Sequence, residues 1–350
     1  MNMFAKEIIF FLIFSPLFLV DAIIGGEYVT NPHQYPWMVY IAAYDMEKDQ
    51  SGVCGGAIIS ENIILTAAHC VVERRWSQID VAIGHSILNQ STWVKVESTL
   101  IHPNYLRYRR KQWEPEEGVT YLQDLVDHLA PVMTADIALL KLSENLKFNK
   151  KIQPIALPDE DFNETNYLDK SRSKFMVAGW GTTFDIPNDF YQLFRSEKWT
   201  LHKSKIPKEK YLKRCWGESG CEIDGWMDAD TLKVTEVDYI KLSNDASNYK
   251  KKKMPFQIRA TSTQPYIPGF CHGDSGGPLM KFDITIGKYE VVGIVSRFDE
   301  WRDPQGPRGC LGSTPAVYTR VSAFVPWIKE SMTNPDSFMQ LYQEQDAIAS

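Results

Sequence analysis

An all-β fold of antiparallel barrels or sandwiches is the class this sequence predicts. Many short apolar runs separated by turn residues, a scarcity of long helical patterns, and the concentration of Val, Ile and aromatic residues in those runs carry the prediction. The runs are Trp37–Ala43, Gly56–Ser60, Ile79–Ile83, Ile137–Leu142, Phe175–Ala178, Val291–Val295 and Ala316–Thr319, bounded by Gly, Pro, Asn or Asp. The clearest helical pattern comes late, at Ser322–Ser331, with Ser322 as the expected cap and Pro326 in the first turn, where proline is tolerated. Three polar, charged segments, 107–131, 226–257 and 298–309, read as surface insertions on this scaffold.

The chain has 350 residues, room for one or two core-forming units. Its 44% hydrophobic and 23% charged residues exclude disorder, collagen-like sequence and a coiled coil. A net charge of −6 provides no global basic field, so nucleic acid and anionic membrane are not expected partners. The one basic run, Lys250–Lys253, reads as a solvated loop.

Near the N-terminus, Lys6 is followed by the run Ile8–Val20, apolar except for Ser15 and Pro16. The run is shorter than the about 20 residues a membrane span needs, so residues 1–22 read as a signal peptide cut after Ala22, with an uncleaved anchor as the alternative. The expectation is a secreted, extracellular, soluble product without a stable membrane anchor. Export makes the six cysteines a disulfide set, and their spacings form no paired zinc pattern, so no metal is expected. Asn89-Gln90-Ser91 and Asn163-Glu164-Thr165 are glycosylation sequons that suit this route.

Two short strings carry most of the chemical signal. Thr66-Ala67-Ala68-His69-Cys70 follows the apolar run Ile63-Ile64-Leu65, which delivers a histidine at a strand end. In Cys271-His272-Gly273-Asp274-Ser275-Gly276-Gly277-Pro278, glycines flank a serine, permitting a tight turn that exposes the hydroxyl and aims amide N–H groups at one point. Asp136 stands just before the apolar run 137–142, where burial suits a carboxylate that orients a histidine.

With Ile23-Ile24-Gly25-Gly26, Tyr35-Pro36-Trp37, Cys54-Gly55-Gly56, Ala178-Gly179-Trp180-Gly181 and Val317-Tyr318-Thr319-Arg320-Val321, these motifs resemble the trypsin-like (chymotrypsin-fold) serine proteases, in the family's order, over residues 23–332. The remainder, 333–350, reads as a C-terminal tail. The resemblance implies two perpendicular six-stranded antiparallel β-barrels with a C-terminal helix, and a secreted endopeptidase that needs no cofactor. It also implies a triad of Ser275, His69 and Asp136, an oxyanion hole from the N–H groups of Gly273 and Ser275, and an activation ion pair between Ile23 and Asp274. The partners so implied are a protein or peptide substrate and a protein inhibitor, the chain itself being a monomer. A non-proteolytic binding protein on the same fold, with an occluded specificity pocket, is the competing reading.

Departures from the family pattern shape the remaining expectations. The position six residues before Ser275, where trypsin carries an aspartate, is Gly269; Phe270 follows, the pocket wall reads Ser296-Arg297-Phe298, and Ala316 replaces a glycine. Cleavage after Lys or Arg is therefore not expected, and small aliphatic residues are; either Phe298 narrows the pocket, or both phenylalanines pack in the core and leave it open. The resemblance pairs Cys54 with Cys70 and Cys271 with Cys310, which leaves Cys215 for Cys221. In compact members a calcium loop carries glutamates, but the corresponding stretch 84–93 contains no carboxylate, so no calcium is expected there. No basic residue precedes Ile23, so signal-peptide removal itself is expected to free the Ile23 ammonium, the competing explanation being a missing propeptide.

Overall fold

The computed structural model describes residues 26–45, 50–72, 78–106, 135–159, 173–183, 212–215, 221–223, 227–228, 230–240, 256–262, 270–284, 287–298 and 316–334. A two-residue strand β1 (Glu27–Tyr28) precedes β2 (Met38–Asp45), β3 (Gln50–Ile58), β4 (Ile63–Thr66), β5 (Gln78–Ile83), β6 (Thr92–Ile101) and β7 (Ala138–Leu142). The last six close into a barrel in the order β2-β3-β4-β7-β6-β5, because β2 pairs with both β3 and β5. The short apolar runs form its most enclosed staves. β4 is buried throughout, and β7 is buried except at Lys141, which turns out to meet Glu97 at 3.0 Å.

The second half contains β8 (Ser173–Gly179), β9 (Thr182–Thr183), β10 (Leu212–Cys215), β11 (Cys221–Ile223), β12 (Met227–Asp228), β13 (Lys233–Tyr239), β14 (Gln257–Ser262), β15 (Pro278–Asp283), β16 (Lys288–Phe298) and β17 (Ala316–Arg320). Its main sheet runs β1-β13-β14-β17-β16-β15-β8, and a further pairing of β8 with β13 closes six of these strands into a second barrel. The expected pair of six-stranded antiparallel barrels is therefore present. Phe175, Val177, Ile258, Phe270, Leu279, Val292, Ala316 and Tyr318 fill much of the second core.

Segment 226–257 is not wholly a surface insertion, since Lys233–Tyr239 is a stave of the second barrel, paired with β8 and β14. Two of its buried residues, Lys233 and Thr235, are polar, so the strand lacks the apolar signature by which the others were recognised. Segment 107–131 lies outside the described residues, as do 299–309. The small β10–β11 pair sets Cys215 directly opposite Cys221 in register.

The C-terminal helix is present but begins later than expected. Val321–Phe324 form a 3₁₀ turn, the helix runs Val325–Thr333 with Pro326 in its first turn, and no side chain caps it. Ser322 is buried inside the 3₁₀ turn, where it cannot act as the cap. Among the described residues no helix is long and apolar enough to cross a membrane.

Backbone contacts of the loop after β5 tie the two halves together. Ser86 O accepts from Leu232 N at 2.6 Å and from Trp180 Nε1 at 2.9 Å, and Leu88 N donates to Asp230 O at 2.9 Å. In the core between the barrels, Trp37 Nε1 approaches Met280 Sδ at 3.1 Å.

Candidate active site

His69 opens a one-turn helix, His69–Val72, directly after β4, and Asp136 lies two residues before β7, the neighbouring stave. Strand pairing thus brings together residues 67 positions apart in sequence. His69 Nδ1 lies 2.8 Å from Asp136 Oδ2, and the His69 amide donates to Asp136 Oδ1 at 2.9 Å. The second barrel holds the same aspartate: Ser296 Oγ on β16 donates to Oδ2 at 2.7 Å, and Thr319 Oγ1 on β17 donates to the Asp136 carbonyl at 2.9 Å.

Burial acts to raise the Asp136 pKa, but the His69 charge and the hydrogen bonds from the His69 ring, the Ser296 hydroxyl and the His69 amide outweigh it, so the carboxyl lies below its usual value. An ionised Asp136 fixes the proton of neutral His69 on Nδ1 and leaves the lone pair on Nε2. The imidazole is then a base whose Nε2 is directed away from the carboxylate.

Ser275 lies in a turn leading into β15, on the other barrel. Gly55 N donates to Ser275 O at 2.7 Å, which docks this turn on β3. The docking depends on two glycines. A Cβ on Gly276, whose φ is +80°, would lie 2.2 Å from Thr66 Oγ1, and one on Gly55 would lie 2.9 Å from Gly277 Cα. Cys54 and Cys70 form the expected disulfide, and Cys70 Sγ is 3.8 Å from His69 Nε2 and 3.6 Å from Ser275 O. The histidine ring and the serine backbone therefore meet at one sulfur, although Ser275 Oγ and His69 Nε2 are not hydrogen-bonded to each other. In free enzymes such bonds are often long and tighten when substrate binds.

The amides of the serine turn are used unequally. Those of Asp274, Gly276 and Gly277 donate to Cys271 O, Val295 O and Asp274 O at 3.1, 2.8 and 3.0 Å. Those of Gly273 and Ser275 have no acceptor among the described residues, and Gly273 adopts φ +88°. Two unspent donors therefore flank Asp274.

The Asp274 carboxylate turns the other way, into the second barrel, where it is fully buried. Its Oδ1 accepts from Gly181 N at 2.7 Å and its Oδ2 from Cys271 N at 2.9 Å. A Cβ on Gly179 would lie 1.9 Å from Asp274 Oδ1, so the Gly179-Trp180-Gly181 segment leaves the carboxylate the space it occupies. Burial, together with this carboxylate, pushes the Tyr318 phenol up.

Of the expected pocket residues, Phe270 packs in the barrel core, its ring edge-on to Tyr318 at 5.6 Å, and Ala316 is buried opposite Phe298. Ser296 is diverted to Asp136, a role its sequence context did not signal. Phe298 is described only as strand backbone. Cys271 is disulfide-bonded, while its expected partner Cys310 lies outside the described residues, as do Ile23, Gly269 and Asn163. Asn89 is exposed on a short 3₁₀ turn. Among the described residues one group of candidate metal donors occurs, Cys54, His69 and Cys70, but its two sulfurs are joined to each other and offer no thiolate.

The β subunit of clotting factor G from Tachypleus tridentatus is 27% identical over 93% of this chain and 84% of its own length. CLIP domain-containing serine protease B4 from Anopheles gambiae is 26% identical over 90% of this chain and 71% of its own. A solved structure titled "Structure of GrC" shares the fold, with a TM-score of 0.53 at 22% identity, over 89% of this chain and 99% of that one. The Trypsin family matches residues 23–213 and 207–328, and the chain belongs to that family of serine proteases.

Proposed function

We propose that this chain is a secreted serine endopeptidase working through an acyl-enzyme. Ser275 Oγ attacks the scissile carbonyl while His69 Nε2 takes its proton; His69 then protonates the leaving amine, and a water deprotonated by the same nitrogen releases the acyl group. Asp136 holds the imidazole in the required tautomer and stabilises the imidazolium. The N–H groups of Gly273 and Ser275 receive the negative charge that develops on the carbonyl oxygen. The Ile23 ammonium, freed at the mature N-terminus, pairs with Asp274 and keeps those amides in place.

The observation that carries this reading is the pair of unspent amides on the Ser275 turn, docked beside a histidine whose Nδ1 is bound to a low-pKa aspartate. Relatives named for clotting and as CLIP-domain proteases suit an extracellular protein as the substrate. At the cut itself small aliphatic residues are preferred. The position six residues before Ser275, an aspartate in trypsin, is Gly269, which supplies no carboxylate, and a buried, unpaired Lys or Arg head would be strongly disfavoured.

Ser275→Ala tests the assignment. It removes the nucleophile from a half-buried turn without opening the core, and the expected fall in kcat is about 10⁶-fold with folding intact. A purified variant that cleaves peptides at the wild-type rate refutes it.

A further inference from the structure

β16 pairs with β15 only as far as Ile294, and Val295 is then held by its exchange with the serine turn, through Gly276 N to Val295 O and Val295 N to Gly277 O. From Ser296 onward β16 keeps β17 on one side and, among the described residues, has no strand on the other. A free strand edge thus starts beside the Ser275 turn. An unpaired edge of this kind can add an extended peptide as a further strand, with side-chain specificity set by the residues along it.

The side chains on that edge are unusual. A bulge sets Ser296 and Arg297 against Val317 alone and breaks the regular alternation of faces. Ser296 is committed to Asp136. Arg297, the next residue, is half-buried and enters no hydrogen bond or ion pair among the described residues. Other basic residues of the barrel are engaged: Arg320 donates to Gln257 O at 3.3 Å, and Lys281 approaches Glu290 at 3.8 Å. A guanidinium without a partner among the described residues, next in sequence to the Ser296 that holds Asp136, offers a planar fork of donors suited to a carboxylate.

Resting on the protease reading, we propose that Arg297 is a specificity-determining residue that selects substrates with an acidic side chain within four residues of the scissile bond, on the acyl side. The acyl side is favoured because a peptide paired to β16 is fixed to the barrel that carries Ser275, and that portion must stay bound until deacylation.

The test uses the chain starting at Ile23, as wild type, Arg297→Lys, Arg297→Gln and Arg297→Glu. Each is titrated with a peptide phosphonate that labels Ser275, so that rates are counted per competent site and misfolded protein is excluded. Peptides carrying Glu, Gln or Lys at each of the four acyl-side positions are then compared by kcat/KM. The wild type should prefer Glu to Gln about fivefold at one position, a size that suits a half-exposed charge pair, and 1 M salt should weaken the preference. Arg297→Lys should retain part of it, Arg297→Gln should abolish it, and Arg297→Glu should turn it toward Lys. Equal Glu-to-Gln ratios in wild type and Arg297→Glu, with Ser275 titrating normally, overturn this proposal alone. Failure of Ser275 to titrate in all four proteins overturns the protease reading and this proposal with it.

Discussion

The two barrels are filled in opposite ways. The first is aliphatic inside: Val39, Ile41, Ile58, Ile64, Leu65, Val81, Leu139 and Leu140 each expose at most 1% of their surface, and His69 and Asp136 stand just outside its strands. The second buries ionisable groups beside its apolar core, with Lys233, Arg259, Asp274, Lys281 and Arg320 all buried. A buried charge is stable only where dipoles or counter-charges surround it, whereas an aliphatic core asks only for volume. The first barrel is therefore a stiff mount for His69 and Asp136, and its packing is indifferent to pH. The second is a polar framework whose shape around Ser275 depends on the seat of Asp274.

The largest expected effect lies on the mount. In Asp136→Asn an amide N–H₂ can donate to Nδ1 and drive the imidazole proton to Nε2, so kcat should fall about 10⁴-fold. Steady-state kinetics on titrated enzyme measure this, and a loss below tenfold would mean that Asp136 does not set the tautomer.

Gly179→Ala probes the other barrel. The new methyl occupies the place of Asp274 Oδ1, so the aspartate must move and the adjacent amides of Gly273 and Ser275 with it. The expected cost is about 10²–10³ in kcat, the usual scale for losing an oxyanion donor. Unchanged kcat would separate the Asp274 seat from catalysis.

Smaller effects sharpen the contrast in filling. Ile64→Val, in the first barrel, should lower unfolding free energy by about 0.5–1.5 kcal/mol and leave kcat per folded molecule unchanged. In the second barrel, burial pushes the Lys233 ammonium down to about 7, against a cation–π contact with the Tyr28 ring 3.7 Å away that favours the charged form. Between pH about 7 and the ordinary lysine value the unfolded chain then binds more protons than the folded one, so stability should rise with pH across that window. Urea titrations should show the rise in wild type and Ile64→Val and its loss in Lys233→Met; a rise that survives in Lys233→Met would assign it to another group.

The contrast also explains what the sequence made legible. The first barrel's staves are contiguous apolar strings, and His69, Asp136 and Ser275 sit in short strings whose local residues carry the signal. Lys233–Tyr239 escaped because Lys233 and Thr235 are polar yet buried. The Ser296–Asp136 bond joins residues 160 positions apart, and nothing near either one announces it. Ser322 looks like a cap in sequence, but the chain first completes a buried 3₁₀ turn, so the helix starts later.

In the proposed mechanism the barrels assemble one reactive serine, Ser275 from the second, activated by His69 from the first. Treatment of the chain starting at Ile23 with a peptide diphenyl phosphonate, in which Ser275 Oγ displaces phenoxide from phosphorus, tests it directly by intact-mass and peptide mapping. A single adduct on Ser275 is expected, and none on the same timescale in His69→Ala. An adduct at another residue, or one that forms on Ser275 equally fast without His69, would contradict it.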